Sequence, residues 1–132
     1  MYFLKAQSIS KTKKFQPEHD AQVTFIKYAR YVLGKKYRLI FAIPNGGKRD
    51  PRQGKWLKDE GLMAGVPDIF LALPGGGYAG LFIEMKSGYN KPSEEQQIQI
   101  EALRNAGYKV EVCTGFDQAK EVFDLYMKEI SK

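Results

Sequence analysis

Apolar residues recur along this chain with two periods, and the switches between them lay out its elements. Pro17 suits a first helical position; from there Ala21, Phe25, Tyr28 and Val32 fall at helical spacing, and Gly34 can stop the helix. Leu39 to Ile43 is a short apolar run closed by the turn signal Pro44-Asn45-Gly46-Gly47. Asp50 and Pro51 can open a second helix reaching to about Leu62. Gly65 and Pro67 break the chain before an expected strand, Asp68 to Leu73. The turn Pro74-Gly75-Gly76-Gly77 then leads back into a strand from Leu81 to Lys86, a separation short enough for an antiparallel hairpin. Ser93 and Gln96 have the spacing of a capping box for a helix to about Ala106, with Gly107 placed to end it. Tyr108, Val110 and Val112 alternate with Lys109 and Glu111 as in a strand. Beyond the turn Thr114-Gly115, a last helix carries Ala119, Val122, Phe123, Tyr126 and Ile130 on one stripe.

Helix, strand, helix, strand, strand, helix, strand, helix is the order of a mixed α/β domain, helices flanking a central sheet. A dinucleotide-binding glycine fingerprint and a phosphate-loop motif are both missing, and Gly75-Gly76-Gly77 has the spacing of neither. The 132 residues suit one domain with a real core. Residues 1–16 are polar, basic and aperiodic, so a flexible basic N-terminal arm is expected ahead of a domain spanning 17–132.

Charge adds a partner class. The formal net charge is +6 and the pI about 9.3, which favours a polyanion, nucleic acid first, although mild basicity is common among small soluble proteins without one. No apolar run approaches a membrane span, and the N-terminus has no apolar signal core. Cys113 is the only cysteine, so no internal disulfide is possible; a reducing cytoplasm is expected, with Cys113 a small core filler.

The candidate chemistry lies in the hairpin. Asp68 opens one strand, and Glu84 and Lys86 close the next, all in otherwise apolar runs. Side chains alternate along a strand, so Glu84 and Lys86 share a face with Phe82, while Leu81, Ile83 and Met85 point to the other. Hairpin pairing sets the start of the first strand beside the end of the second, bringing Asp68 near Glu84 and Lys86. Buried charges are costly unless paired or bound to metal. Two answers fit: a salt bridge at a strand end, or a Mg²⁺ held by Asp68 and Glu84, with the Met85 backbone carbonyl as a further ligand and Lys86 beside the reacting water or phosphate. Glu18 shares the stripe of Ala21 and Phe25, which points it at the sheet, where it can complete a metal site; a first-turn acid favoured by the helix dipole is an equal explanation. His19 is read as an exposed helix-start residue.

Pro67-Asp68 with Glu84-Met85-Lys86 resembles the signature of the PD-(D/E)XK nuclease superfamily. Pro17-Glu18-His19 with Gln22, Phe41 to Gly47, Gly61 to Phe70, Gly80 to Lys86, Ser93 to Gln96 and Gly107 to Cys113 together resemble its VRR-NUC family, the virus-type replication-repair nucleases, over roughly residues 17–128. The resemblance implies a restriction-endonuclease-like core and a structure-specific DNA endonuclease. It implies hydrolysis of phosphodiester bonds with Mg²⁺ or Mn²⁺, on branched DNA such as Holliday junctions. It also implies Asp68 and Glu84 as metal ligands, Lys86 as the catalytic lysine, Glu18 as a further acid and Gln96 as a polar residue at the site. Members of this size resemble viral and bacterial enzymes, some acting as homodimers, which would place a phage-encoded protein in the host cytoplasm; Tyr31, Leu125 and Met127 are candidate interface residues, with core edges as an equal alternative. Lys48, Arg49, Arg52, Lys55 and Lys58 form a basic set for phosphate contact, with Asn45-Gly46-Gly47 letting the backbone approach closely and a solvated helix face as the plain alternative. A nucleic-acid-binding module without catalysis and a salt-bridged domain with a protein partner are the rival functions.

Overall fold

The computed structural model describes residues 17–44 and 51–131. Their elements are α1 (Pro17–Leu33), a 3₁₀ segment (Gly34–Leu39), β1 (Ile40–Ala42), α2 (Pro51–Asp59), β2 (Ile69–Leu71), β3 (Leu81–Lys86), α3 (Glu94–Asn105), β4 (Lys109–Thr114) and α4 (Gly115–Ser131). The sequence of helices and strands is the expected one. The expected arm, residues 1–16, lies outside the described residues.

The four strands form one mixed sheet in the order β1-β2-β3-β4. β1 with β2 and β2 with β3 are antiparallel, while β3 with β4 is parallel. The expected hairpin is present: Ile69 pairs with Ile83 and Leu71 with Leu81. Its turn is closed by reciprocal backbone hydrogen bonds between Gly75 and Tyr78, with Gly76 and Gly77 both at positive φ, which a two-residue hairpin turn requires. Gly80 permits the close approach of the two strands, since a Cβ there would stand 2.8 Å from the Phe70 ring.

Alternation divides the sheet into two faces. On one, Ile40, Ile69, Leu71, Leu81, Ile83, Met85 and Cys113 pack against Phe25, Ala29 and Leu33 of α1 and Ala119, Phe123 and Tyr126 of α4. On the other, Phe82 and Val110 pack with Ile100 of α3, joined by Phe70, Tyr108 and Val112. Phe70 and Phe82, partners in the register, stack with centroids 4.3 Å apart, and Phe41 and Tyr108 meet the pair edge-on. Cys113 is buried in the first core, as its strand position suggested.

The differences from the sequence reading lie at element ends. α2 stops at Asp59, short of Leu62. The N–H of Gly61, at positive φ, donates to the Lys58 carbonyl and the N–H of Leu62 to that of Leu57, the double closure that ends a helix on a left-handed glycine. Gly107 ends α3 by the same device. The 3₁₀ segment Gly34–Leu39 is aperiodic in sequence and was not expected; it shortens the first strand to Ile40–Ala42. β2 begins one residue after Asp68 and ends before Leu73.

Candidate active site

Asp68 stands just ahead of β2, and continuing the register by one pair sets it opposite Glu84. Its Oδ2 accepts a 2.8 Å hydrogen bond from the Met85 N–H, which fixes the carboxylate against β3. The preceding loop is held by Gly65 at φ +87°; a Cβ there would lie 2.6 Å from the Glu95 carbonyl oxygen, so the close passage over the start of α3 requires glycine. Buried Pro67 follows and aims the chain into β2.

Glu84 is 3% exposed and is the only charged residue buried among the described residues. Its Oε2 accepts from Gln96 Nε2 at 2.8 Å and lies 3.4 Å from Lys86 Nζ. Its Oε1 is buried with no hydrogen-bond partner. Burial, and then the charge of Asp68, push its pKa up to about 7, with Lys86 pulling the other way. Asp68 is raised as well, by burial first, eased by the Met85 N–H. The salt-bridge alternative thus accounts for one oxygen of Glu84 and leaves Oε1 without a hydrogen-bond partner, while Asp68 is met by the Met85 N–H, by Glu84 and by the charge of Lys86.

Gln96 serves two partners at once. Ser93 caps α3 by accepting from the Gln96 N–H, while the Ser93 N–H donates to Gln96 Oε1, the full capping box. With its oxygen so engaged, the amide has its NH₂ aimed at Glu84. The capping role and the site role are therefore one geometry.

Glu18 behaves differently. It is half-buried, as its stripe suggested, but Oε1 accepts from the backbone N–H and the hydroxyl of Ser87, both at 3.1 Å. The cause is strand parity. Glu84 and Lys86 face α3, whereas the next residue, Ser87, continues the alternation to the α1 side, where Glu18 approaches. Glu18 is near enough for its charge to push Asp68 up, but among the described residues no three His, Cys, Asp or Glu side chains form a group that could hold a metal ion. Ser87 had no role in the sequence reading; only the contact reveals it. His19 is exposed, as expected.

The described acids can still accommodate a hard cation. Mg²⁺ takes oxygen ligands and is commonly held by one or two protein carboxylates, the rest being water and substrate phosphate. Asp68 and Glu84 supply such oxygens, and Glu84 Oε1 is a buried acceptor with no donor.

Asn45 and, of the basic set, Lys48 and Arg49 lie outside the described residues. Arg52, Lys55 and Lys58 are exposed on α2, with Lys55 paired to Asp59 at 3.0 Å. Tyr31 and Leu125 are exposed, whereas Met127 is partly buried against the main core.

An acid at the start of one strand, a Glu-any-Lys at the end of its antiparallel neighbour, and helices on both faces of a mixed sheet define a nuclease-type module with a restriction-endonuclease-like core. The chain belongs to the VRR-NUC family, whose domain model matches residues 27–117. That stretch contains Asp68, Glu84, Lys86 and Gln96 and excludes Glu18. A solved structure described as a VRR_NUC domain protein is similar at TM-score 0.76 and 26% identity, over 89% of this chain and 93% of the other. A second, described as a VRR_NUC domain, superposes at TM-score 0.52 and 23% identity over 85% of this chain and 99% of its own, a likeness of fold. No curated protein matches. Among the described residues no helix is long and apolar enough to cross a membrane.

Proposed function

We propose that the protein is a metal-dependent, structure-specific DNA endonuclease that hydrolyses phosphodiester bonds in branched DNA, such as Holliday junctions, in replication, repair or recombination. The observation that carries this reading is Glu84: a buried carboxylate faces a second acid and has one oxygen with no donor. Such an arrangement is costly as a structural feature and useful as a cation site.

Asp68 and Glu84 would hold Mg²⁺ or Mn²⁺, with the Met85 backbone carbonyl and Glu18 as further ligands. When bound, the ion neutralises the acids, lowers the pKa of water and polarises the phosphate. The protein's own part is orientation and charge. The Met85 N–H fixes Asp68, and Gln96 fixes Glu84 through one oxygen. Lys86, 15% exposed at its side chain, presents an ammonium at the mouth of the site, where it can orient the attacking water or offset charge building on the phosphate. Arg52, Lys55 and Lys58, with Asn45, Lys48 and Arg49, supply phosphate contacts. Two copies acting as a homodimer would present two sites to a symmetric junction.

The test is a substrate panel of single strand, duplex, flap, splayed arm and four-way junction, each with Mg²⁺, Mn²⁺ or chelator. Branched substrates should be cut only with metal. Asp68→Ala and Lys86→Ala should each lose at least about 10²-fold in rate while staying folded by circular dichroism. Undiminished cutting by both variants would sink the mechanism.

A second reading has its own support. Glu18 is tied to Ser87, and the described acids fall short of a three-ligand group. A DNA-binding module with little or no catalysis fits that state. Salt-sensitive binding without nicking of any substrate in Mn²⁺ would decide for it.

A further inference from the structure

Helix α2 carries a feature that the phosphodiesterase site leaves unused. Trp56 is 69% exposed and belongs to neither hydrophobic cluster. Helical spacing brings Arg52 and Gln53 onto its side, one turn earlier. Arg52, Gln53, Trp56 and Leu57 line an open depression of about 450 Å³. Among the described residues its walls are a flat indole, a primary amide that both donates and accepts, a guanidinium and an aliphatic edge, and exposed Lys55 and Lys58 stand on the same helix.

The connection that carries the helix has fixed ends. The Ile43 N–H donates to the Asp68 carbonyl at 2.7 Å, so the connection carrying α2 leaves and re-enters the sheet at one point, beside the acid pair. Both ends of that connection are therefore tethered at the end of the sheet where Asp68 lies.

Resting on the DNA-binding reading above, we propose that Trp56 is a stacking platform for one unpaired nucleobase of the substrate. The base lies on the indole, Gln53 meets its edge, and Arg52 meets its phosphate. Aromatic stacking is tolerant of sequence because every base has a π face, and basic groups beside the ring hold the backbone. Within a continuous duplex both faces of each base are already stacked, so this site selects nucleotides at a branch, flap or gap. It gives the enzyme a preference for DNA with unpaired bases near the cut, arising on α2 and not at the acids. The small size of the depression and the cations around it favour a nucleotide over a hydrophobic protein segment.

Trp56 is the chain's only tryptophan, so its emission reports the contact directly. The full chain in chelator, where binding is separated from cleavage, is titrated with a labelled oligothymidylate, a flapped duplex and a blunt duplex. Anisotropy of the label follows binding, and tryptophan emission follows stacking. The expected result is saturable quenching by the single strand and the flap, and little change with the blunt duplex. Trp56→Ala should weaken single-strand binding about tenfold while Trp56→Phe keeps most of it. Two results would overturn the proposal: anisotropy showing binding with emission unchanged, or equal quenching by the blunt duplex. Equal single-strand affinity of Trp56→Ala and the parent would also overturn it, and would assign the exposed indole to a protein contact. Because no cleavage is read, failure of the catalytic reading leaves this result standing, and the reverse also holds.

Discussion

On the face that meets α1 and α4, Met85 and Cys113 sit beside Phe25, Phe123 and Tyr126, and the polar groups buried there are answered: the Tyr126 hydroxyl donates to the Leu73 carbonyl at 2.7 Å. Burial, with the charge of Glu111 second, pushes the Cys113 thiol up to about 11, which leaves it an inert apolar filler. One residue along the same strand and on the other face, Glu84 is as buried as Met85 and has an oxygen with no donor. The two faces share strands, register and depth. They differ in whether the buried groups are satisfied. A well-packed face can offset the cost of a poorly satisfied one, and the domain concentrates its unfavourable electrostatics where a ligand would relieve them.

The contrast can be broken most severely from the packed side. Phe123 is fully buried and meets Phe25 and Tyr28 edge-on. Phe123→Ala should cost about 3–5 kcal/mol, read as a lowered midpoint in urea unfolding. A loss below about 1 kcal/mol would mean that this face is not the main source of stability.

From the site side the sign reverses. Glu84→Gln keeps the shape, the volume and an acceptor for Gln96 while removing the charge. In chelator it should stabilise the protein by about 1–2 kcal/mol, a rise of a few degrees in Tm, even as it removes metal-dependent cutting. The gain depends on pH. The folded pKa of Glu84 is about 7 against an ordinary 4.5, so the folded state holds the proton more tightly. The stabilisation from that proton is complete below 4.5 and is lost as pH rises through about 7. Parent and variant should therefore melt together near the acid end of that window and diverge above it. Asp68, raised in the same direction, adds to the parent's decline. Curves that stay parallel through the window would show that the Glu84 carboxylate is satisfied in solution, and the contrast between faces would fail.

Much of this contrast was legible in the sequence. Alternation alone put Glu84 and Lys86 with Phe82, and the Pro-Gly-Gly-Gly turn supplied the pairing that brings Asp68 opposite Glu84. The Ser93–Gln96 spacing gave the cap, whose geometry also serves Glu84. Helical periodicity identified Glu18 as sheet-facing, but it carries no information about what waits around the end of the sheet, so Ser87 went unseen. The 3₁₀ segment after Gly34 has no apolar period to announce it. The early stop of α2 depended on a left-handed glycine two residues beyond Asp59, a signal present in the sequence at Gly61 that the expected bound near Leu62 did not use. Trp56 had no part in the sequence reading, and its exposure is what singles it out.

The smallest expected effect concerns that unseen contact. Glu18 Oε1 is held by two donors of Ser87, and Ser87→Ala removes the hydroxyl while keeping the backbone N–H. In chelator the loss should be about 0.5–1.5 kcal/mol, the net worth of one hydrogen bond. The same change loosens Glu18 where it is held just beyond the end of β3. If Glu18 is a ligand that Ser87 withholds in the metal-free state, calorimetry should show Mn²⁺ binding tightened severalfold, since about 1 kcal/mol of competing interaction has been removed. The adverse effect of Glu18 on Asp68 argues in the same direction: a carboxylate close enough to raise its neighbour's pKa is close enough to gain when a cation neutralises both. Unchanged Mn²⁺ affinity with the stability loss intact would make Glu18 a strut between α1 and the end of β3. The site would then consist of two carboxylates, a lysine and a glutamine, all within the stretch that the family match covers.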